Sequence, residues 1–332
     1  MNRRKRRIVE DLKLKANMSV VELVNAMRGM GGFQAAQLVR AIDILVSMLK
    51  DEKCTTILAF PACIIATGLR GAIVEMLKRD YFDVIITTCG TLDHDIARSF
   101  SSYFHGDFNA DDYALLKEGI HRLGNVFIPF EAYGMTIENA MKELINFLAR
   151  KRKVAYYLII REIAKIIEKS PRKEESIIWW AYKKDIPIIV PGPLDGSFGY
   201  NLWIAYQNQG ISIDVFADES LLSDIIWESE KLGALIIGGG ISKHHTIWWA
   251  QFKGGLQYAV YITTAVELDG SLSGAQTREA VSWKKISEKA QHVTVWAEAT
   301  IVLPLIVAYL ISVIEKRKRP PIVRRILAEK LT

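Results

Sequence analysis

Residues 235–285 constrain the possible fold more than any other part of the chain. An apolar run at 235–237 ends in three consecutive glycines, and a segment dense in His and Trp follows from Ser242. A buried strand, a glycine turn and a helix N-terminus in this order can bind an anion, because free N–H groups and the helix dipole both favour negative charge. A second apolar run and a polar, glycine-rich turn follow, which predicts a ligand site rather than a purely structural segment.

Apolar strands alternate with amphipathic helices over most of the chain. We predict strands at residues 55–60, 82–87, 126–129, 186–190, 212–216, 234–237, 259–263 and 292–297. We predict helices at residues 20–27, 35–50, 68–78, 136–149, 154–169, 176–183, 220–231, 242–252 and 299–314. Since strands rich in Val and Ile that alternate with helices pair in parallel, the pattern predicts an α/β fold. Its mostly parallel, Rossmann-like sheet would carry helices on both faces.

Polar motifs follow the predicted strands at their carboxyl ends, at residues 87–95, 191–200, 238–245, 263–273 and Glu298. Ligands of parallel α/β sheets collect beyond this edge. The arrangement therefore predicts a crevice for a nucleotide or another small molecule. The dinucleotide fingerprint G-x-G-x-x-G is absent, so the residues alone do not identify a nicotinamide cofactor.

The basic residues are concentrated in two short runs. Residues 3–7 hold five cations and residues 316–319 hold four, so removing these nine from the formal net charge of +6 leaves the rest of the chain near −3. We predict a basic N-terminal arm over residues 1–20 and a single α/β domain over residues 21–332. The terminal location of the charge argues against a broad nucleic-acid surface, and no specific nucleic-acid partner is predicted. Attraction of the arm to RNA is the weakest alternative.

The three cysteines, Cys54, Cys63 and Cys89, form no CxxC pair and have no His at metal-binding spacing, so no metal site is predicted. Sparse, unpaired thiols are typical of a reducing compartment, which predicts a cytoplasmic protein. Charged residues at positions 10–15 interrupt any apolar run after the N-terminal cations, which argues against a signal peptide. Residues 299–314 carry no charge, but a spanning helix needs about 20 residues. This stretch is shorter and contains a proline, so we predict a buried helix and no membrane partner.

Five motifs occur in order along nearly the whole chain. They are Gly-Phe-Gln-Ala at residues 32–35, Thr-Thr-Cys-Gly-Thr-Leu-Asp-His-Asp at 87–95, His-Arg-Leu-Gly-Asn at 121–125, Pro-Gly-Pro-Leu-Asp-Gly-Ser-Phe-Gly at 191–199 and Gly-Gly-Gly-Ile-Ser-Lys-His-His-Thr-Ile-Trp-Trp at 238–249. With these motifs the chain resembles the deoxyhypusine synthase family, and the last motif resembles the archaeal branch of that family. Each motif is short, so their shared order carries the resemblance.

The resemblance implies an NAD-dependent transferase with one catalytic domain over residues 21–332. Its reaction moves the aminobutyl group of spermidine, through an imine on an enzyme lysine, to a specific lysine of the precursor of translation initiation factor 5A. The resemblance also implies a homotetramer with active sites at dimer interfaces. Two alternatives keep the fold: a homospermidine-forming synthase with a free amine acceptor, and a non-catalytic NAD-binding paralogue that acts as a scaffold.

Lys285 is the predicted carrier of the imine. A lysine nucleophile needs a deprotonated amine, and desolvation or a neighbouring cation favours that form by lowering the pKa. Trp283 offers apolar cover and Lys284 a second positive charge. The residues alone favour two exposed lysines, but the family pattern Glu-Ala-Xaa-Ser-Trp-Xaa-Lys matches residues 279–285 and implies that Lys285 is the carrier. Lys284 occupies a place that is often glycine and remains the minor rival.

Further residues are predicted to bind or react with the amine. A carboxylate at Glu279 and an indole at Trp283 suit a polyamine, although a helix-start Glu and a core Trp are equally compatible with the sequence. A lone His is more often structural, but the resemblance implies that His244 lines the amine pocket and accepts a proton. The acidic cluster that begins at Asp93 is equally explained by a helix N-terminus. The resemblance places the remaining substrate contacts at Asp93, His94, Tyr261, Gly270 and Ser271.

The resemblance also implies the cofactor contacts. They are Thr88, Gly90, Asp195, Gly239, Thr264, Ala265, Glu298 and Ala299. Glu298 replaces the usual Asp, and its longer carboxylate still suits a ribose hydroxyl. Ala62, Cys63 and Ala66 replace a more polar loop, and each hydrogen bond lost there weakens cofactor binding by about 0.5–1.5 kcal/mol. Other departures from eukaryotic members are Tyr200, Leu272 and Trp248.

Overall fold

The structure, a computed structural model, describes residues 7–149, 151 and 153–331. The strands in these residues are β1 (Cys54–Ala59), β2 (Val84–Ile86), β3 (Phe104–His105), β4 (Ile120–Leu123), β5 (Val126–Pro129), β6 (Lys153–Ala155), β7 (Ile188–Ile189), β8 (Ser212–Asp214), β9 (Lys231–Ile237), β10 (Leu256–Thr263) and β11 (Ile286–Trp296). The α-helices are α1 (Val20–Met30), α2 (Phe33–Lys50), α3 (Leu69–Lys78), α4 (Cys89–Phe100), α5 (Asp112–Lys117), α6 (Thr136–Leu148), α7 (Tyr156–Ile167), α8 (Ile177–Lys183), α9 (Ser197–Gln209), α10 (Val215–Glu228), α11 (Gly240–Gln251), α12 (Thr277–Ser282), α13 (Ala299–Val313) and α14 (Ile322–Leu331).

Six strands form a parallel central sheet in the order β11-β10-β9-β1-β2-β7. Ile57 of β1 aligns with Val84 of β2 on one side and with Ala234 of β9 on the other. Every residue of β1 and β2 is buried, as expected for strands that are covered on both faces. The predicted α/β class with a mostly parallel sheet is confirmed.

Two separate hydrophobic clusters cover the two faces of this sheet. Helices α1, α2, α3, α4, α6, α7, α8, α9 and α13 contribute to the larger cluster. Helices α10, α11, α12 and α14 contribute to the other. Alternation along β1 divides its side chains between the clusters, because Leu58 belongs to the first and Ile57 and Ala59 to the second.

Two predicted strands lie outside the central sheet. Residues 126–129 form β5 of a three-stranded antiparallel sheet, β3-β5-β4, and a tight turn at Gly124 (φ 60°) makes the connection from β4. Residues 212–214 form β8, which pairs with β6 in a two-stranded parallel sheet. The prediction of helix from residue 154 was wrong at its start, since Val154 and Ala155 belong to β6 and α7 begins at Tyr156.

The C-terminal basic run is a structural element. Arg317 is buried against Asp83 at the amino end of β2, with Nη1 2.9 Å from Oδ2. Arg319 donates from Nε to the other oxygen of Asp83 at 2.7 Å. These two pairs attach the segment between α13 and α14 to the edge of the sheet opposite the strands' carboxyl ends. Arg317 and Arg319 are therefore committed to the fold rather than to an external anion.

Separate predictions concerned the two ends of the chain, the basic N-terminal arm and the uncharged stretch near the C-terminus. Residues 3–6 of the predicted basic arm lie outside the described residues. The first helix, α1, begins after a capping box between Ser19 and Glu22. The uncharged stretch near the C-terminus forms α13, with Pro304 inside it. Within residues 7–149, 151 and 153–331, no helix is long and apolar enough to cross a membrane.

Candidate active site

The residues predicted to contact the cofactor follow the carboxyl ends of five of the six strands of the central sheet. Thr88 and Gly90 follow β2, Asp195 follows β7, and Gly239 follows β9. Thr264 and Ala265 follow β10, while Glu298 and Ala299 follow β11. Because all of these strands are parallel, the turns lie along one edge of the sheet.

Two helix N-termini at this edge offer main-chain donors. Helix α4 begins after Thr88 and α11 after Gly239, and neither residue caps its helix with a side chain. The turn before α11 needs glycine, since Gly238 and Gly240 have φ of 73° and 64°, and a Cβ on Gly239 would lie 2.3 Å from Ser273 Oγ. Helix N-termini of this kind suit an anionic ligand such as a pyrophosphate.

A cavity of about 490 Å³ lies beside Glu298. Its walls include Cys63 and Thr67 from the loop after β1, and residues 123–126 of the antiparallel sheet. Glu298 also begins α13, where its side chain accepts a hydrogen bond from the N–H of Thr300 at 2.8 Å. The motif at residues 121–125 had no predicted role, and the structure now places its last three residues in this cavity wall.

A second cavity, of about 130 Å³, lies between α11, α12 and the face of β10. We call it the Lys285 cavity. It is lined by Lys243, Ile247, Tyr261, Leu272, Ala275, Gln276, Glu279, Ala280, Trp283 and Lys285. The cavity extends from Lys285, beside the amino end of β10, towards Leu272 and Ala275 near its carboxyl end.

Lys285 is a buried lysine at the end of the turn between α12 and β11. Its side chain lines the cavity, and the residue is only 8% exposed. Its Nζ lies 5.1 Å from the ring centroid of Trp283 and 6.0 Å from that of Trp248, which is cation–π distance. The alternative of two exposed lysines therefore does not describe Lys285.

Lys284 faces the other way. It has φ of 57°, a left-handed conformation, and it is exposed on a different shallow cavity with Gly254 and Val281. Its N–H bonds to Val281 O at 2.9 Å, and the N–H of Lys285 bonds to Ala280 O at 3.0 Å. This left-handed helix end reverses the chain and sends the two lysines in opposite directions.

Two polar groups in the cavity are unusual for their burial, those of Tyr261 and Lys243. The Tyr261 hydroxyl has no hydrogen-bond partner among the described residues, and burial raises the pKa of this phenol. Glu279 also lines the cavity but is exposed, and its side chain makes no hydrogen bond or ion pair within the described residues. Lys243 is 1% exposed and donates from Nζ to the carbonyls of Leu272 at 2.6 Å and Ala275 at 2.7 Å.

His244 lies in the first turns of α11 beside this cavity; the helix was predicted to begin at residue 242 and begins at Gly240. The imidazole stacks on Trp248 with a centroid distance of 5.8 Å. Burial, followed by the charge of Lys285, lowers the pKa of His244. The ring is therefore neutral near pH 7 and can accept a proton. Its neighbour His245 lies against Glu219 instead, at 3.2 Å.

Asp93 and His94 lie elsewhere, on α4. The Asp93 carboxylate accepts the N–H groups of Ser197 at 2.8 Å and Phe198 at 2.7 Å, and the Tyr133 hydroxyl at 2.9 Å. Strands β9 and β1 separate β2 from β10, and α4 packs on the opposite face of the sheet from Tyr261 and Ala280 of the cavity. Within one chain the structure does not bring Asp93 and His94 into the Lys285 cavity.

The remaining residues of the cluster are also engaged. His94 Nδ1 lies 2.9 Å from the Tyr103 hydroxyl, and burial lowers the pKa of this imidazole to about 4. Asp95 accepts the Nε–H of Arg70 at 2.7 Å and the N–H groups of Ile177 and Ile178 at the start of α8. Among the described residues, no group of three His, Cys, Asp or Glu side chains is placed to hold a metal ion.

Gly270 and Ser271, the other predicted substrate contacts, are exposed on the turn next to Leu272. The Ser271 N–H bonds to Asp269 Oδ1 at 2.7 Å. Sequence analysis gave no role to Lys243 or Gln276, although both line the cavity. The only available signal for Lys243 was its place inside the motif at 238–249.

The comparisons with known proteins agree with the family resemblance of the sequence motifs. The deoxyhypusine synthase family model matches residues 22–310. Proteins named "Probable deoxyhypusine synthase" from Sulfolobus acidocaldarius and Picrophilus torridus are each 49% identical to this chain, and the matches cover 92% and 90% of it and 97% and 96% of those proteins. A crystal structure described as that of "a putative deoxyhypusine synthase from Entamoeba histolytica" has a TM-score of 0.62 at 24% identity. The match covers 91% of this chain and 95% of that one, and it shows the fold alone. The chain belongs to the deoxyhypusine synthase family, whose members are enzymes of the transferase kind.

Proposed function

We propose that this protein transfers the aminobutyl group of spermidine, in an NAD-dependent reaction in the cytoplasm, to a specific lysine of the precursor of translation initiation factor 5A. One observation carries the proposal beyond family membership. Lys285 is buried beside two indole rings in a cavity, with no hydrogen-bond or ion-pair partner for its amine among the described residues, while Lys284 faces outward.

The cavity suits a polyamine. Glu279 offers a carboxylate without a competing partner for one ammonium group, and the face of Trp283 attracts a second cation. Apolar walls from Ile247, Leu272 and Ala275 match the methylene chain between the nitrogens. His244, neutral and beside Lys285, accepts the proton that the secondary ammonium must lose before its carbon is oxidised.

Lys285 then carries the group. Loss of a hydride from the carbon next to the secondary amine leaves an imine, and the amine of Lys285 adds to that carbon and expels propane-1,3-diamine. The four-carbon amine is now an imine on Lys285. The lysine of the protein substrate displaces Lys285 in the same way, and hydride addition to the new imine gives the saturated product. The walls of the cavity limit hydrolysis of the imine by excluding water.

The edge of the sheet fits NAD. The N-termini of α4 and α11 would hold its pyrophosphate, and Glu298 in the larger cavity would accept the hydroxyls of a ribose. When bound, NAD supplies a hydride acceptor for the first step and a hydride donor for the last. Ala62 and Ala66 contribute no polar side chain at this edge, so main-chain donors and Glu298 must supply most of the polar contacts.

The separation of Asp93 and His94 from Lys285 supports a homotetramer with active sites at dimer interfaces. Within a single chain the two groups lie on opposite faces of the sheet. A partner subunit that brings its own His94 to the Lys285 cavity would add a predicted contact, whereas the carboxylate of Asp93 is buried and already accepts three hydrogen bonds. Exposed aromatic residues near this region, Tyr200, Trp203, Trp248 and Trp283, are available for such an interface.

The test uses spermidine labelled in its butyl carbons, NAD, the factor precursor, and borohydride to reduce any imine to a stable amine. We expect label on the wild-type enzyme, and a loss of both labelling and transfer by about 1,000-fold or more in Lys285→Ala. Lys284→Ala is the matched control, because it changes the outward lysine of the same turn, and it should retain both activities. Transfer at the wild-type rate by Lys285→Ala would exclude Lys285 as the carrier.

The same assay separates the alternatives. Labelled homospermidine formed from a putrescine acceptor, with no label on the factor, would identify the enzyme as a homospermidine-forming synthase. Absence of NAD binding in calorimetry at millimolar concentration would favour a scaffold.

A further inference from the structure

The segment between β10 and α12, residues 264–276, lies over one end of the Lys285 cavity. We call it the roof. Leu272, Ala275 and Gln276 of the roof line the cavity, and Ser271 is a predicted substrate contact. Most of the roof's own side chains face solvent; Leu268, for example, is 91% exposed. Apolar packing therefore contributes little to holding this segment in place.

Specific polar contacts hold the roof instead. Lys243 donates to Leu272 O and Ala275 O, and the Thr263 hydroxyl donates to Ser273 O at 3.2 Å. The Gly240 N–H donates to Ser273 Oγ at 3.2 Å. The roof therefore connects the glycine turn on the cofactor side to the cavity with Lys285.

Burial of the charged Lys243 side chain is energetically unfavourable. Burying an ammonium without a paired carboxylate costs several kcal/mol, and Lys243 has no ion-pair partner among the described residues. Its compensation is two carbonyl groups and the face of Tyr261, whose ring centroid is 4.4 Å from Nζ. A methionine would fill the same space without that cost but could not bind the carbonyls. The charge of Lys243 is therefore explained by the two carbonyl groups of the roof that it binds.

We propose that Lys243 is a positioning residue that fastens the roof over the Lys285 cavity through its two carbonyl contacts, and so sets the shape in which the cavity receives its amine. The part that concerns the amine rests on the proposed function, whereas the fastening itself does not. Opening of the roof would displace Leu272 and Ala275 from the cavity wall and, through Ser273, disturb the turn before α11.

Hydrogen–deuterium exchange on the full chain, without NAD or amine, tests the fastening. In Lys243→Met we expect amides of residues 266–276 to exchange about tenfold faster or more, while those of β10 keep their protection. Lys253→Met is the matched control, because Lys253 also donates to a carbonyl, that of Trp227 at 2.7 Å, but at the protein surface. It should leave roof exchange unchanged. Roof exchange in Lys243→Met within about twofold of wild type would overturn the proposal.

A pH series on wild type gives the same test without relying on a substituted protein. Burial lowers the pKa of Lys243 to about 8, below the 10.5 of a lysine in water. Opening of the roof would expose the amine to water and return its pKa towards that usual value, so the open state binds the proton more tightly than the closed state. Roof protection, corrected for intrinsic exchange, should therefore rise as pH rises above about 8. The titratable groups that line the cavity with Lys243 are Tyr261 on β10, Glu279 on α12 and Lys285 before β11. Other charged or titratable groups on the neighbouring elements are His244 on its own helix and Glu267 and Asp269 on the roof. Lys285→Met should keep the step and Lys243→Met should remove it; a flat wild-type profile would contradict the proposal.

Kinetics separates positioning from chemistry. Lys243→Met should raise the KM for spermidine by about tenfold and change kcat much less. A loss confined to kcat would overturn the positioning role. Roof opening in Lys243→Met together with unimpaired transfer by Lys285→Ala would keep the fastening and reject the proposed function.

Discussion

The Lys285 cavity and the acidic cluster on α4 look alike in sequence and differ in the structure. Both were predicted to bind the substrate, and each prediction paired a carboxylate with a histidine, Asp93 with His94 and Glu279 with His244. In the cluster, Asp93 and Asp95 accept hydrogen bonds from main-chain N–H groups at the starts of α9 and α8. In the cavity, the buried side chains of Tyr261 and Lys285 have no such partner among the described residues, and the Glu279 carboxylate is exposed. Unused hydrogen-bonding capacity, rather than residue type, distinguishes a site prepared for a ligand from one that holds the fold together.

The largest effect should be on the free energy of unfolding, when a substitution in the acidic cluster is compared with one in the Lys285 cavity. Asp93→Ala removes three hydrogen bonds, one from a buried and two from half-buried partners, so we expect it to lower the free energy of unfolding by about 2–4 kcal/mol. Glu279→Gln should change that free energy by less than about 0.5 kcal/mol and instead raise the KM for spermidine. Urea unfolding measures the first quantity. Equal stability losses in the two variants would erase the distinction between the regions.

The next effect concerns acid stability. Burial, with a smaller contribution from Arg98, holds the pKa of His94 at about 4, below the 6.5 of an unfolded histidine. The unfolded chain therefore binds the proton first, and stability from this residue is lost as pH falls from about 6.5 towards 4. Between pH 7 and pH 5 we expect a loss of about 2 kcal/mol that His94→Gln abolishes. His105→Gln changes an exposed histidine and is the control, so it should keep the pH dependence. An unchanged pH dependence in His94→Gln would contradict the expectation.

The smallest effect should come from the turn that directs Lys285 inward. Lys284 adopts φ of 57°, where glycine has no steric penalty, so Lys284→Gly should stabilise the protein by up to about 1 kcal/mol. Lys289→Gly, in the exposed part of β11, should destabilise it by about 0.5–1 kcal/mol. Thermal unfolding of the two variants checks the sign. Destabilisation by Lys284→Gly would mean that the lysine side chain itself supports the turn.

The alternation of strands and helices made the central sheet predictable. β1 and the second half of β9 are mostly apolar, short and buried on both faces, so composition and length agree there. β11 was predicted only over residues 292–297, because its first half is polar; it begins at Ile286, where it pairs with Leu256 before an irregularity. The missed first half of β11 determines the position of Lys285, because this residue directly precedes the strand.

Helix α9 was missed for a different reason. The polar, glycine-rich motif at residues 191–199 resembles a loop, and a local N-cap side chain is absent because Gly196 holds that place. The cap is supplied by Asp93, about a hundred residues earlier in the chain, and no local pattern reveals such a partner. The contents of the Lys285 cavity were predicted mainly through family resemblance, since spacing alone could not bring Tyr261 and Lys285 together.

The attachment of Arg317 and Arg319 has a consequence for biosynthesis. The carboxylate of Asp83 sits at the start of a central strand, yet its buried guanidinium partners leave the ribosome more than two hundred residues later. Until then, a nascent chain that formed the sheet would enclose an uncompensated negative charge. The central strands thus cannot reach their final packing during most of translation, and the last step of folding waits for almost the whole polypeptide to be synthesised.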